Sequence, residues 1–175
     1  MRVLGIDPGS SVTGYGIVDE HNGSLKAIVW GIIRTSNKTP FPERLKTIHD
    51  RLTEIILKYS PDAASIENLF FAENAKSALK LGQVKGAAIL AVANQSIKVA
   101  EYSPLEIKQA VAGYGRADKG QIQNMVFRLL NISDFETKKS KIPFDASDAL
   151  AIAICHINTS NFKLKVYKVK SFKVT

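Results

Sequence analysis

The stretch Val3-Leu4-Gly5-Ile6-Asp7-Pro8-Gly9 decides how this chain is read. Val3 to Ile6 is a compact apolar run closed by Asp7-Pro8-Gly9, a turn signal, so it reads as a buried strand. Its last residue is a charge placed where the strand leaves the sheet. Working outward, Val12 to Val18, with Gly14 and Gly16, reads as the antiparallel neighbour, and Leu25 to Ile33 supplies a third strand. Leu45, Ile48, Leu52, Ile55 and Ile56 then recur at the helical period between Pro42 and Lys58. Pro61-Asp62 breaks that helix, and Ala63 to Ile66 forms a short fourth strand that ends at Glu67.

Beyond Glu67, Asn74 to Gln95 is helix-friendly and rich in small residues, which suits tight packing or a subunit contact. Ile97 to Tyr102 reads as a fifth strand. Ser103, Pro104 and Glu106 form a capping-box start for the next helix. The loop Gly113-Tyr114-Gly115-Arg116 leads to a helix from about Lys119 to Leu130, and Ser133 to Pro143 is a charged linker. Phe144 to Ile157 is the final helix. Three strands, then helix, strand, helix, strand and helices, is an α/β order in which a crossover lays the first and fourth strands side by side and parallel. The expectation is a five-stranded mixed sheet flanked by helices.

At 175 residues the chain has room for one domain with a proper core. We expect that domain to span residues 1–158, with a basic tail over 159–175. In the tail Lys163, Lys165, Lys168, Lys170 and Lys173 interleave with Leu164, Val166, Tyr167, Val169 and Phe172. That pattern suits either a disordered basic arm on DNA or an added strand. The net charge of +8 points to a polyanionic partner, most often nucleic acid. Cys155 is the only cysteine, which excludes an internal disulfide and a cysteine zinc cluster. The N-terminus reads directly as a strand rather than a secretory signal, and Ala87 to Ala93 is too short to span a bilayer. The expectation is a cytosolic protein without a membrane partner.

Four carboxylates carry the chemistry. Asp7 and Glu67 end apolar strands, and open α/β sheets build their sites at such edges. Asp145 and Asp148 are three apart at a helix start, so both face one side of its first turn. Each has an ordinary role available: a turn aspartate for Asp7, and for the helical pair an N-cap at Asp145 with Asp148 favouring the helix dipole. Convergence of all four is what those roles leave unexplained. Two unit charges at about 4 Å repel by roughly 4 kcal/mol at an effective dielectric near 20, so a gathered set needs a cation. The ligands are hard oxygens, with no histidine or cysteine set at zinc spacing, and such a site selects Mg²⁺ or Mn²⁺. Two such ions about 3.5–4 Å apart would clamp a scissile phosphate. His21, His49 and His156 read as surface or packing residues, with His156, two helical turns beyond Asp148, also a candidate for a role beside the site.

The string Gly5-Ile6-Asp7-Pro8-Gly9-Ser10, with Thr13-Gly14-Tyr15-Gly16, resembles the opening of RuvC-type Holliday junction resolvases. The likeness continues through Glu67 with Phe70, Asn74-Ala75-Lys76-Ser77-Ala78-Leu79-Lys80-Leu81-Gly82-Gln83, and Tyr102-Ser103-Pro104 with Ile107-Lys108-Gln109. It runs on through Asp118-Lys119-Gly120-Gln121-Ile122-Gln123 and closes with Asp145-Ala146-Ser147-Asp148-Ala149-Leu150-Ala151. It covers roughly the first 157 residues, in order and spacing. The resemblance implies an RNase H-like fold and a bacterial, cytoplasmic, nucleoid-associated homodimer. That dimer would bind four-way junction DNA and nick two strands of like polarity symmetrically. It also implies two Mg²⁺ per active site (Mn²⁺ substituting), held by Asp7, Glu67, Asp145 and Asp148, and a RuvAB-type branch-migration complex as partner. Lys108 and Lys119 match the family's functional lysines, and Phe70 matches an aromatic that stacks on a base. Where the family commonly has a basic residue just before Asn74, Glu73 stands here.

Two other classes share parts of this pattern. A phosphotransferase or ATPase of the actin-like superfamily also ends its first strand in an Asp-containing glycine turn, but needs two lobes. A silent RNase H-like module would bind nucleic acid and tolerate loss of the acids.

Overall fold

The computed structural model describes residues 1–68, 75–132 and 142–171, with side chains described as far as Ser160 in the last of these. At its centre lies β1 (Arg2–Asp7), bonded on both sides. It pairs antiparallel with β2 (Val12–His21) and parallel with β4 (Ala63–Glu67), the crossover arrangement expected from the element order. Outside these run β3 (Ser24–Arg34), antiparallel to β2, and β5 (Lys98–Tyr102), parallel to β4. The sheet order is β3-β2-β1-β4-β5. The β2–β3 hairpin is longer than its apolar runs suggest. Asn22 and Gly23 both take positive φ (52° and 83°), the requirement of a tight primed turn, and this extends pairing to His21 and Ser24.

Strand alternation sorts the side chains. Leu4, Ile6, Ala64 and Ile66 point to one face, where α1 (Phe41–Tyr59) and α2 (Ala75–Ala93) bury them under Ile48, Leu52, Ile56, Val84, Ala88 and Val92. Each fully buried Leu or Ile contributes about 2 kcal/mol relative to an exposed one. Val3, Gly5 and Asp7, with Ser65 and Glu67, point to the opposite face. There α5 (Phe144–Ser171) lies directly on the sheet, backed by α3 (Pro104–Ala112) and α4 (Lys119–Leu129).

That helix sits very close to the sheet. A Cβ on Gly14 would stand 1.9 Å from the Asp145 carbonyl oxygen, and one on Gly5 would stand 1.9 Å from that of Ala149. Gly14 is the register partner of Asp7. The missing side chains thus bring the start of α5 down beside Asp7. Ser65, fully buried, donates to the Ile152 carbonyl at 3.1 Å and fixes the same helix against β4.

Two features of α5 differ from the sequence reading. Its first bonds run from the Ala146 and Ser147 N–H groups to the Pro143 carbonyl, so Asp145 lies inside the first turn and is not the N-cap. The helix also continues past Ile157 to Ser171, where an extended arm or an added strand was expected. No glycine or proline follows Pro143, so nothing in the local chemistry stops it. Cys155 is buried on this helix, which pushes its thiol up to about 12 and leaves it a packing residue. Among the described residues no helix is long and apolar enough to cross a membrane.

Candidate active site

The carboxyl ends of β1 and β4 are adjacent in the sheet, and alternation turns their last side chains, Asp7 and Glu67, toward α5. Asp148 reaches the same place from the second turn of α5. These three acids, with Lys108 from α3 and Lys119 from α4, line a cavity of about 270 Å³ whose apolar wall includes Ile107 and Ile122. Lys119 Nζ stands 3.6 Å from Asp148 Oδ2. Asp145 is half-buried nearby and does not line the cavity, although its charge acts on both Asp7 and Asp148.

Electrostatics register the convergence. Burial pushes the Asp7 carboxyl up to about 7, helped by the charges of Glu67, Asp148 and Asp145, while Lys119 opposes. Glu67 is raised by burial and then by Asp148, with Lys119 and Lys108 pulling it down. Asp148 is raised by burial, lowered by Lys119 and raised by Asp145. Among the described residues no three His, Cys, Asp or Glu side chains are gathered tightly enough to hold an ion as they stand. Gathering acids at one cavity costs mutual repulsion, which a divalent cation would relieve. The donors are all oxygen, they open on one cavity, and they fit a hard divalent cation of the Mg²⁺ type.

The sign of the pH effect follows. A carboxyl held at about 7 in the fold and near 3.8 in the unfolded chain contributes stability that is fully present below 3.8 and lost as pH rises through 7. The loss is on the order of 4 kcal/mol when complete. Divalent cation should recover much of it. We expect excess Mg²⁺ to raise the melting temperature by about 5–10 °C at pH 8 and by almost nothing at pH 5. An equal gain at the two pH values would contradict a cation bound by these acids.

Around the cavity lie supports that the sequence pattern did not reveal. Gln123, one turn after Lys119, donates to Ser147 Oγ (3.2 Å) and to the Ile142 carbonyl (3.3 Å), gripping the start of α5. The Asp118–Gln121 capping box that starts α4 is readable in the sequence, as was the one at Ser103–Glu106. His156 bonds the Tyr102 hydroxyl at 3.0 Å and so ties α5 to the end of β5 rather than entering the site. Phe70 and Glu73 lie outside the described residues.

A five-stranded sheet of this order, with acids at the carboxyl ends of two central parallel strands and a helix bringing more across them, defines an RNase H-like domain. Sequence and structure comparisons carry the assignment further. The chain belongs to the family of crossover junction endodeoxyribonuclease RuvC, whose profile matches residues 3–156. The crossover junction endodeoxyribonuclease RuvC of Alkaliphilus oremlandii is 49% identical over 170 residues, covering 97% of this chain and all of the relative. That of Geobacter metallireducens is 49% identical over 163 residues, covering 93% and 96%. The structure of T. thermophilus RuvC in complex with Holliday junction substrate superposes with a TM-score of 0.86 at 32% identity, covering 93% of this chain and 96% of that one. The yeast mitochondrial Holliday junction resolvase, at 16% identity and a TM-score of 0.70 over 97% of this chain and 83% of that one, shares the fold.

Proposed function

We propose that this chain is a structure-selective endodeoxyribonuclease that resolves four-way DNA junctions by symmetric paired nicks, in homologous recombination and DNA repair. The observation that carries the reading is the meeting of Asp7, Glu67 and Asp148 with two lysines in one cavity of a RuvC-family fold. Asp7, Glu67, Asp145 and Asp148 would hold two Mg²⁺ ions, with Mn²⁺ able to substitute. Such ions would supply charge neutralisation at the scissile phosphate and activation of water. Lys108 and Lys119 would neutralise phosphate oxygens as charge develops at the cleaved bond, leaving 5′-phosphate and 3′-hydroxyl ends. The apolar wall of Ile107 and Ile122 would lower the local dielectric once substrate covers the cavity, strengthening each of these interactions. Phe70 would stack on a base near the junction centre, a contact worth about 1–3 kcal/mol.

A junction has approximate two-fold symmetry, so a C₂ dimer can present one site to each of two opposed strands. The α2 surface supports that assembly. Leu79, Gly82, Gly86 and Leu90 share one side, the leucines 71% and 54% exposed, and no atom lies within 4 Å of a Cβ placed on either glycine. Two mid-helix glycines cost about 1 kcal/mol each against alanine, which close approach of a second copy would justify. The same reading places the protein in the bacterial cytoplasm on nucleoid DNA, working with a RuvAB-type branch-migration complex. Residues 1–158 would form the nuclease unit and the lysine-rich segment 159–175 a further contact to DNA.

The test is a cleavage assay on a synthetic four-way junction beside linear duplex, with and without Mg²⁺. Paired nicks in the junction alone, and only with metal, are expected. Equal cutting of duplex, or metal-independent cutting, would refute the proposal. Because phosphate contacts release counterions, junction affinity should also fall about a hundredfold between about 50 and 200 mM salt. A flat salt response in a binding titration counts against the polyanion partner.

A further inference from the structure

We infer that Lys85 is a positioning residue for the cleavage site, a latch that joins α2 to the end of the strand carrying Glu67. Lys85 Nζ donates to Asn68 Oδ1 at 2.9 Å and to Glu101 Oε2 at 2.6 Å. Asn68 directly follows Glu67, and its backbone N–H continues the parallel ladder by donating to the Tyr102 carbonyl at 2.7 Å. Glu101 lies in β5, beside the same strand end. One ammonium therefore clamps the edges of β4 and β5 together from the α2 side. From the other face, Tyr102 is held by His156 of α5.

The geometry argues for a structural latch rather than a spare surface charge. The Lys85 side chain is only 19% exposed, and of its two partners one lies in β5 and the other directly follows β4. Asn68 and Glu67 point to opposite faces by strand alternation, so the latch fixes Glu67 without entering its cavity. Lys85 does not line the cavity that holds Glu67 and reaches the strand end from the α2 side. Its influence thus passes through backbone position. Glu67 ends a five-residue strand, where fraying is easiest. Lys85 also adjoins Gly86 on α2, so the latch links the proposed subunit face to a proposed metal ligand.

This inference rests on the nuclease reading for its catalytic part only. The test uses the full chain with Lys85→Met, Lys85→Arg and Glu101→Gln. On a four-way junction at saturating protein, Lys85→Met should lower single-turnover cutting about tenfold or more and raise the Mg²⁺ midpoint several-fold. Junction binding without metal and the dimer mass should stay unchanged, and Lys85→Arg should restore cutting to within about threefold. Glu101→Gln should shift cutting in the same direction as Lys85→Met. Hydrogen exchange at the Asn68 amide should rise about tenfold in Lys85→Met, a readout independent of substrate. Wild-type cutting, midpoint and exchange in Lys85→Met would overturn the latch. So would weaker junction binding in Lys85→Met with tighter binding in Glu101→Gln, the signature of a phosphate contact. If the wild type leaves the junction uncut, the nuclease reading fails, and Asn68 exchange alone then decides the latch.

Discussion

Asp7→Asn should bind a four-way junction within about twofold of wild type and cut it about a thousandfold more slowly in Mg²⁺, a loss of roughly 4 kcal/mol of transition-state stabilisation. Asparagine keeps the shape of the side chain at the end of β1 and removes its charge. The cations expected to hold the junction phosphates, Lys108 and Lys119 among them, are untouched, so binding and cutting separate. The variant carries a second signature. Asp7 is the acid most strongly raised by burial and by its three acidic neighbours. Removing that charge relieves repulsion, so the metal-free variant should melt higher than wild type at pH 8 and gain less from Mg²⁺. Gel-shift binding, single-turnover cleavage and thermal melts measure the three effects. A variant that cuts at the wild-type rate would show that Asp7 is no metal ligand.

Gly14→Ala should also damage activity, by about a hundredfold and without touching an acid. The added methyl would meet the Asp145 carbonyl oxygen at 1.9 Å and the Asp145 Cβ at 3.2 Å. Backbone on both sides leaves no flexible side chain to yield, so the first turn of α5 must lift from the sheet. Overpacking of this kind costs about 3 kcal/mol, or roughly 10 °C in melting temperature for a chain of this size. The lifted turn carries Asp145 and moves Asp148 away from Asp7. Catalytic groups misplaced by about 1 Å lose on the order of a hundredfold in rate. Cutting assayed well below the melting temperature should therefore drop by that factor while the protein remains folded. Normal cutting with a lowered melting temperature would mean that α5 relaxes without moving its acids.

The acids illustrate what local sequence can and cannot say. Asp7 and Glu67 were recognisable because a charged residue ending an apolar run has few local excuses, and strand alternation then settles which face it meets. Asp145 and Asp148 were harder to separate from helix-start chemistry. Only the bonds from Ala146 and Ser147 to Pro143 show that Asp145 is not the cap, and only packing shows that Asp148 lines the cavity while Asp145 stands beside it. The spacing Gly14-Tyr15-Gly16 was visible as a strand with gaps, and two glycines on one face of a strand signal close approach. What approaches is a helix about 130 residues later, which no local pattern names.

Supports reached through space were the least legible. Lys85 is an ordinary lysine on a helix until Asn68 and Glu101 come within reach, and Gln123 is an ordinary glutamine until Ser147 does. The extent of α5 is equally illegible, because lysines alternating with apolar residues past Ile157 suit a strand or an arm as readily as a helix. Periodicity, turn chemistry and charge at strand ends are properties of neighbours along the chain, so the sequence by itself determined the strands, the crossover and the placement of Asp7 and Glu67 at strand ends. Distances between residues far apart in the chain depend on how the faces pack, so the tertiary structure alone decided which acids share the cavity, how closely α5 lies on β1 and β2, and which side chains hold that geometry.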